Sequence, residues 1–125
     1  MNFMIPELLR ACSIREVAIN NNTVYVMRLG DFSDGMCYEL ALFPQGNCGL
    51  HHHKISDERV YVIKGDGIFT SEGKDTAYRS RNVFHVPKGA VHGLNVRNKT
   101  LVLSVQEPAI FNLDTGEADM YKNYR

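Results

Sequence analysis

Cysteine is scarce in this chain of 125 residues: Cys12, Cys37 and Cys48 are odd in number and form no C-x-x-C pair. That argues against both a disulfide framework and a thiolate zinc site. The three thiols read instead as small apolar side chains. An excess of charge is equally missing, because 14 Lys plus Arg balance 14 Asp plus Glu. A chain without a basic surplus lacks the electrostatic footprint of a nucleic-acid binder, so no nucleic-acid partner is expected. No apolar run reaches the ~18 residues of a membrane helix, so no membrane partner is expected either. The stretch Met1–Ala11 has no basic start and is interrupted by Glu7 and Arg10. It does not read as a secretory signal, and the expected compartment is the cytoplasm.

What is present is a β grammar. The length predicts one domain over residues 1–125, with room for a core that needs no staples. One short helix is expected near the N-terminus, from Pro6 and the stripe Ile5, Leu8 and Leu9, ending near Cys12. From Val17 onward the apolar period is two. Val17–Ile19 and Thr23–Leu29 flank Asn20-Asn21-Asn22 as a hairpin, and a third strand runs over Met36–Phe43. Short strands are then expected at Gly49–Lys54, Arg59–Lys64, Gly67–Ser71, Thr76–Arg79, Val83–Pro87, Val91–Arg97, Leu101–Gln106 and Ala109–Leu113, with Gly65-Asp66-Gly67 as one of the turns between them. Many short strands with regular punctuation predict an all-β sandwich or barrel. The polar stretch Glu117–Arg125 reads as a loose tail or an arm packed on a partner subunit.

All five histidines lie between positions 51 and 92. On a strand His51 and His53 share one face and His52 takes the other. Two imidazoles on one face are a ready pair of metal ligands. A turn at Ile55-Ser56-Asp57 would swing Glu58 back beside them. His92 opens a later strand after Pro87-Lys88-Gly89, and a closed barrel would bring it to the same place. Three imidazoles and a carboxylate suit Fe, Mn, Ni, Co, Cu or Zn better than Ca or Mg. His52 reads as a surface or packing residue.

These residues resemble the cupin superfamily, in particular its small single-domain, RmlC-like members. The first family motif appears as His51-His-His53-Lys-Ile-Ser-Asp-Glu58, then six residues to Gly65; the second as Pro87-Lys-Gly89-Ala-Val-His92. The resemblance covers residues 46–96. Gln45, Arg81 and Val96 stand where the family pattern places Gly, Gly and Asn. It implies a double-stranded β-helix, the jelly-roll barrel, with a divalent metal inside one end held by His51, His53, Glu58 and His92. It also implies a homodimer.

Strand parity puts Val60, Val62, Leu94 and Val96 on the ligand face as an apolar wall. Tyr38, Arg59, Tyr61, Tyr78, Arg81, His85 and Gln106 are the polar candidates for contact with a small ligand. The expected activity is that of a metal-dependent isomerase or dioxygenase on a small oxygen-rich molecule, a sugar derivative or an organic acid. The alternative is a non-catalytic module binding a small ligand such as a carbohydrate, since this fold hosts many functions.

Overall fold

The computed structural model describes residues 14–31 and 35–123. The expected N-terminal helix and Cys12 lie outside the described residues. Within them ten strands follow one another, and every pairing is antiparallel. They are β1 (Ile14–Ile19), β2 (Asn22–Asp31), β3 (Cys37–Phe43), β4 (Gly46–Asn47), β5 (Leu50–His52), β6 (Asp57–Ser71), β7 (Lys74–Tyr78), β8 (Val83–Val86), β9 (His92–Glu107) and β10 (Tyr121–Asn123). The fold is an all-β jelly-roll barrel. No helix among the described residues is long and apolar enough to cross a membrane.

The β1–β2 hairpin turns on Asn20 and Asn21, both left-handed, with φ of 48° and 67°. Asparagine tolerates that region, and two such residues make the turn whose twist suits a hairpin. β9 is the spine of the barrel. Its first half pairs with β4 and β5 on one side and with the end of β6 on the other. Its second half pairs with β3 and with the start of β6. The long strands β6 and β9 each replace two expected strands. Gly65-Asp66-Gly67 is no turn but a bulged bend, where the register slips while pairing with β9 continues. Gly65 sits at φ +110°, and a Cβ there would lie 2.6 Å from the Lys99 carbonyl oxygen. The expected strand Ala109–Leu113 reduces to one bridge, Phe111 to Ala118, because Asn112 turns the chain by accepting the amides of Asp114 and Thr115.

Alternation fills the barrel. Val24, Val26, Ala41, Val60, Val62, Phe69, Val86 and Val102 are buried in one cluster, and Phe69 stacks on Phe84 at 4.2 Å. Each buried branched or aromatic side chain contributes about 1.5–3 kcal/mol relative to exposure. Cys37 and Cys48 are buried, as small apolar side chains would be.

Arg81 has φ +78°, a region that costs a side chain with a Cβ about 1–2 kcal/mol. Its neighbours fix that conformation, since the Arg81 amide donates to the Val62 carbonyl at 2.8 Å. R81G is therefore expected to raise stability by about 0.5–1 kcal/mol, the strain relieved less the entropy glycine forfeits. Urea unfolding measures it; a lower midpoint would show that the arginine side chain contributes more than the strain removes.

Candidate metal centre

Three elements deliver three imidazoles to one point. His51 lies in β5, His53 follows it, and His92 begins β9, where it pairs directly with His51. Their potential ligand atoms all fall within 4.8 Å of one another. Ring centroids are 5.2 Å apart for His51–His53, 4.3 Å for His51–His92 and 4.9 Å for His53–His92. Glu58, at the start of β6, brings Oε1 to 3.4 Å from His53 Nε2 and 3.7 Å from His92 Nε2. Glu58 is thus beside two of the imidazoles.

Backbone carbonyls set the tautomers. His53 Nδ1–H donates to the Asp119 carbonyl at 2.7 Å, and His92 Nδ1–H donates to the Ala90 carbonyl at 2.9 Å. Each leaves its Nε2 lone pair for the interior. His53 Nε2 and His51 Nδ1 are buried without a hydrogen-bond partner. An orphaned buried nitrogen costs about 1–3 kcal/mol unless something accepts its lone pair, so the donor set fits a cation. Burial, then repulsion from His92 and His53, pushes the His51 pKa down to about 3. Burial likewise lowers that of His92. Both imidazoles are therefore neutral near pH 7, the form that ligates. Burial opposes charge on His53 and on Glu58. Their mutual proximity outweighs it, raising the first and, with His92 and Ser104, lowering the second.

A buried polar chain runs from Glu58 away from the histidines. Ser104 Oγ donates to Glu58 Oε2 at 2.5 Å, Gln106 Nε2 reaches Ser104 Oγ and Glu39 Oε1, both at 2.9 Å, and the Gln106 side-chain carbonyl accepts the Ile110 amide at 2.8 Å. Glu39 Oε2 takes Arg15 at 2.8 Å and Arg28 at 3.1 Å. Both carboxylates and the three imidazoles face one cavity of about 90 Å³. Of the polar candidates, Gln106 alone lines it. Tyr38, Arg59, Tyr61 and His85 alternate to the outer face, where His85 Nε2 pairs with Asp57 at 2.9 Å. Tyr78 is buried away from the cavity, its hydroxyl 2.7 Å from Thr100 Oγ1. Of the expected wall, Val60 and Leu94 line the cavity, while Val62 and Val96 are buried elsewhere.

Within the described residues the C-terminal stretch is not loose: it straps the site's own loop. β10 pairs with β5, and His52 stacks on Tyr121 at 5.5 Å while its Nδ1 meets Asn123 Oδ1 at 2.6 Å. The Asp119 carboxylate accepts the amides of Lys54, Ile55 and Ser56 at 2.9, 2.8 and 2.8 Å. It thereby holds the turn between His53 and Glu58. Sequence reading missed Asp119, Ser104 and Glu39. Only a period-two register put Ser104 and Glu39 on the inner face, and nothing local marked Asp119. D119A keeps the main-chain carbonyl that orients His53 but releases the turn leading to Glu58, and is expected to weaken metal binding about 10-fold, the low end of the cost of losing an outer partner. D119N, which keeps one acceptor oxygen, should fall between. Competition with a chromogenic chelator checks both, and an unchanged affinity would deny the strap its role.

The family pattern for the cupin domain matches residues 39–105, which is 67 of the 125 residues. Over 71 residues the chain is 34% identical to the uncharacterized protein YdbB of Bacillus subtilis, covering 56% of this chain and 62% of that protein. Over 61 residues it is 30% identical to the oxalate-binding protein of Thermotoga maritima, covering 49% of this chain and 50% of that one. The matches thus span half to about three-fifths of those relatives' lengths. The crystal structure of ectoine synthase from P. lautus superposes with a TM-score of 0.73 at 17% identity, over 99% of this chain and 90% of that one.

Proposed function

Because the chain belongs to the cupin-domain family, we propose that residues 1–125 act as one cupin domain and that His51, His53, His92 and Glu58 hold a single divalent transition metal. The reading extends to an enzyme of isomerase or oxygenase type acting on a small molecule that presents oxygen donors. One observation carries it: three imidazoles converge beside a carboxylate, and two of them, His51 and His53, bury a nitrogen without a hydrogen-bond partner. A bound divalent ion would supply Lewis acidity toward hydroxyl or carbonyl oxygens. The chain's own residues do the rest. Ser104 fixes Glu58 through Oε2, the carbonyls of Ala90 and Asp119 orient two imidazoles, and Val60 and Leu94 line the cavity beside them.

A second reading, a non-catalytic binding module, is favoured by the name of the Thermotoga relative, an oxalate-binding protein. Metal analysis of natively purified protein, followed by oxygen uptake and product analysis with organic acids and sugars, separates the two. Iron with oxygen consumption supports an oxygenase. A rearranged product without oxygen uptake supports an isomerase. Metal without turnover supports the binding module. Protein that takes up none of Fe, Mn, Ni, Co, Cu or Zn overturns the metal centre.

The partner proposed for the outer face is a second copy. On that face Tyr25, Ile63 and Val83 are 44%, 48% and 54% exposed. The register sets Tyr25 in a row with half-buried Leu42 and Leu101, and Val83 in a row with half-buried Tyr61, Leu103 and Leu40. A contiguous apolar sheet face of this kind marks an interface. Sedimentation equilibrium is expected to show a dimer that L103K converts to folded monomer; a monomeric parent refutes it.

A further inference from the structure

The cavity's walls say what kind of molecule the site takes. Beyond the three imidazoles, Glu58, Ser104, Gln106 and Glu39, the lining side chains are aliphatic, aromatic or sulfur-bearing. Val24, Val26, Phe69, Leu94 and Val102 face the interior from β2, β6 and β9. Among the described residues, no lysine or arginine lines it. The two nearby cations, Arg15 and Arg28, are engaged by Glu39. A sugar would bring several hydroxyls against this wall, and each buried hydroxyl without a partner weakens binding. The metal would meet one negative charge, and the second charge of a dianion would find no lysine or arginine on this lining.

We infer that the site selects a small molecule with one oxygen-bearing head, neutral or singly charged, and a short apolar body. The inference rests on the metal-centre reading above and narrows its oxygen-rich ligand to one polar end. Size sets the body. The cavity holds about 90 Å³, less than an engineered cavity of about 150 Å³ that binds benzene. A chain of a few carbons fits, and a large ring does not. Ser104 and Gln106 join Glu58 to Glu39, so the polar lining is one connected run from the imidazoles, and the rest of the wall rewards apolar area alone.

The test uses the full chain loaded with Co(II), whose visible spectrum reports both metal uptake and ligand binding. Acetohydroxamate, propionohydroxamate and butyrohydroxamate share one chelating head and add one methylene at a time. 3-Hydroxypropionohydroxamate differs from butyrohydroxamate only in a terminal hydroxyl for a methyl. Each affinity is divided by that for aqueous Co(II), so the head's own chelating strength cancels. The expected result is about a fourfold gain per methylene, which is the 0.8 kcal/mol of a buried CH₂, and about tenfold weaker binding of the hydroxylated probe. Oxalate, on the same scale, should bind more weakly than butyrohydroxamate. A flat series, equal binding of the hydroxylated probe, or preference for oxalate overturns the inference while leaving the metal centre standing. Absence of a Co(II) spectrum overturns both.

Discussion

Gly93→Ala is expected to unfold or severely destabilise the protein, by more than about 3 kcal/mol. An ideal Cβ on Gly93 would overlap the Gly49 carbonyl oxygen, lie 3.0 Å from its carbon and 3.2 Å from Leu50 Cδ2. Two of these neighbours are backbone, and both sides are tied. The Cys48 amide donates to the Leu94 carbonyl at 2.9 Å, and β5 pairs with β9 through His51 and His92. Overpacking alone costs about 1–3 kcal/mol, and here no side chain can yield to relieve it. The strands that must part carry His51 and His92, so metal affinity should fall together with stability. Chemical denaturation and metal titration on the same sample measure both losses. A variant as stable as the parent would mean that β5 and β9 approach less closely than described.

His92→Ala is expected to eliminate specific metal binding while the barrel survives. His92 supplies one of three converging imidazoles, 4% exposed and aligned by the Ala90 carbonyl. Loss of a ligand should exceed the roughly 10- to 100-fold cost of losing an outer partner. In the parent, free metal at about 100 times its dissociation constant adds about 2.7 kcal/mol of stability, roughly 10 °C in Tm for a chain of this size. In the variant the melting temperature should not respond to metal. The apo forms should differ little, because the substitution removes an imidazole whose burial already disfavours its charged form. Thermal melts with and without Co(II) give the comparison. A retained shift would remove His92 from the centre, and a collapsed apo barrel would give it a structural role instead.

Local properties of the chain were legible early. Alternation marked the strands, Asn20-Asn21 marked the first hairpin, and the spacing from His51 to His92 marked a cluster. Each depends on neighbours within a few residues or on a motif of fixed length. Errors arose where a local signal met a distant partner. Gly65-Asp66-Gly67 has turn chemistry, yet β9 lies alongside and draws the chain through as one bulged strand. Tyr78 and His85 have the chemistry of pocket residues, yet register sends one to the core and the other to the surface beside Asp57.

By itself the sequence determined an all-β sandwich or barrel and its strand parity, because period is carried by the covalent chain, while the resemblance of its two histidine motifs implied the barrel and the three histidines and glutamate that could meet within it. Tertiary structure alone decided the rest. The Asp119 carbonyl reaches the His53 ring across 66 positions. Glu39 and Gln106, 67 positions apart, join in one hydrogen bond. The apolar character of the cavity emerges only when walls from β1, β2, β3, β6 and β9 face one another. Such contacts follow from sheet closure and burial, whose energy belongs to surfaces brought together from distant parts of the chain and has no signature in any one segment.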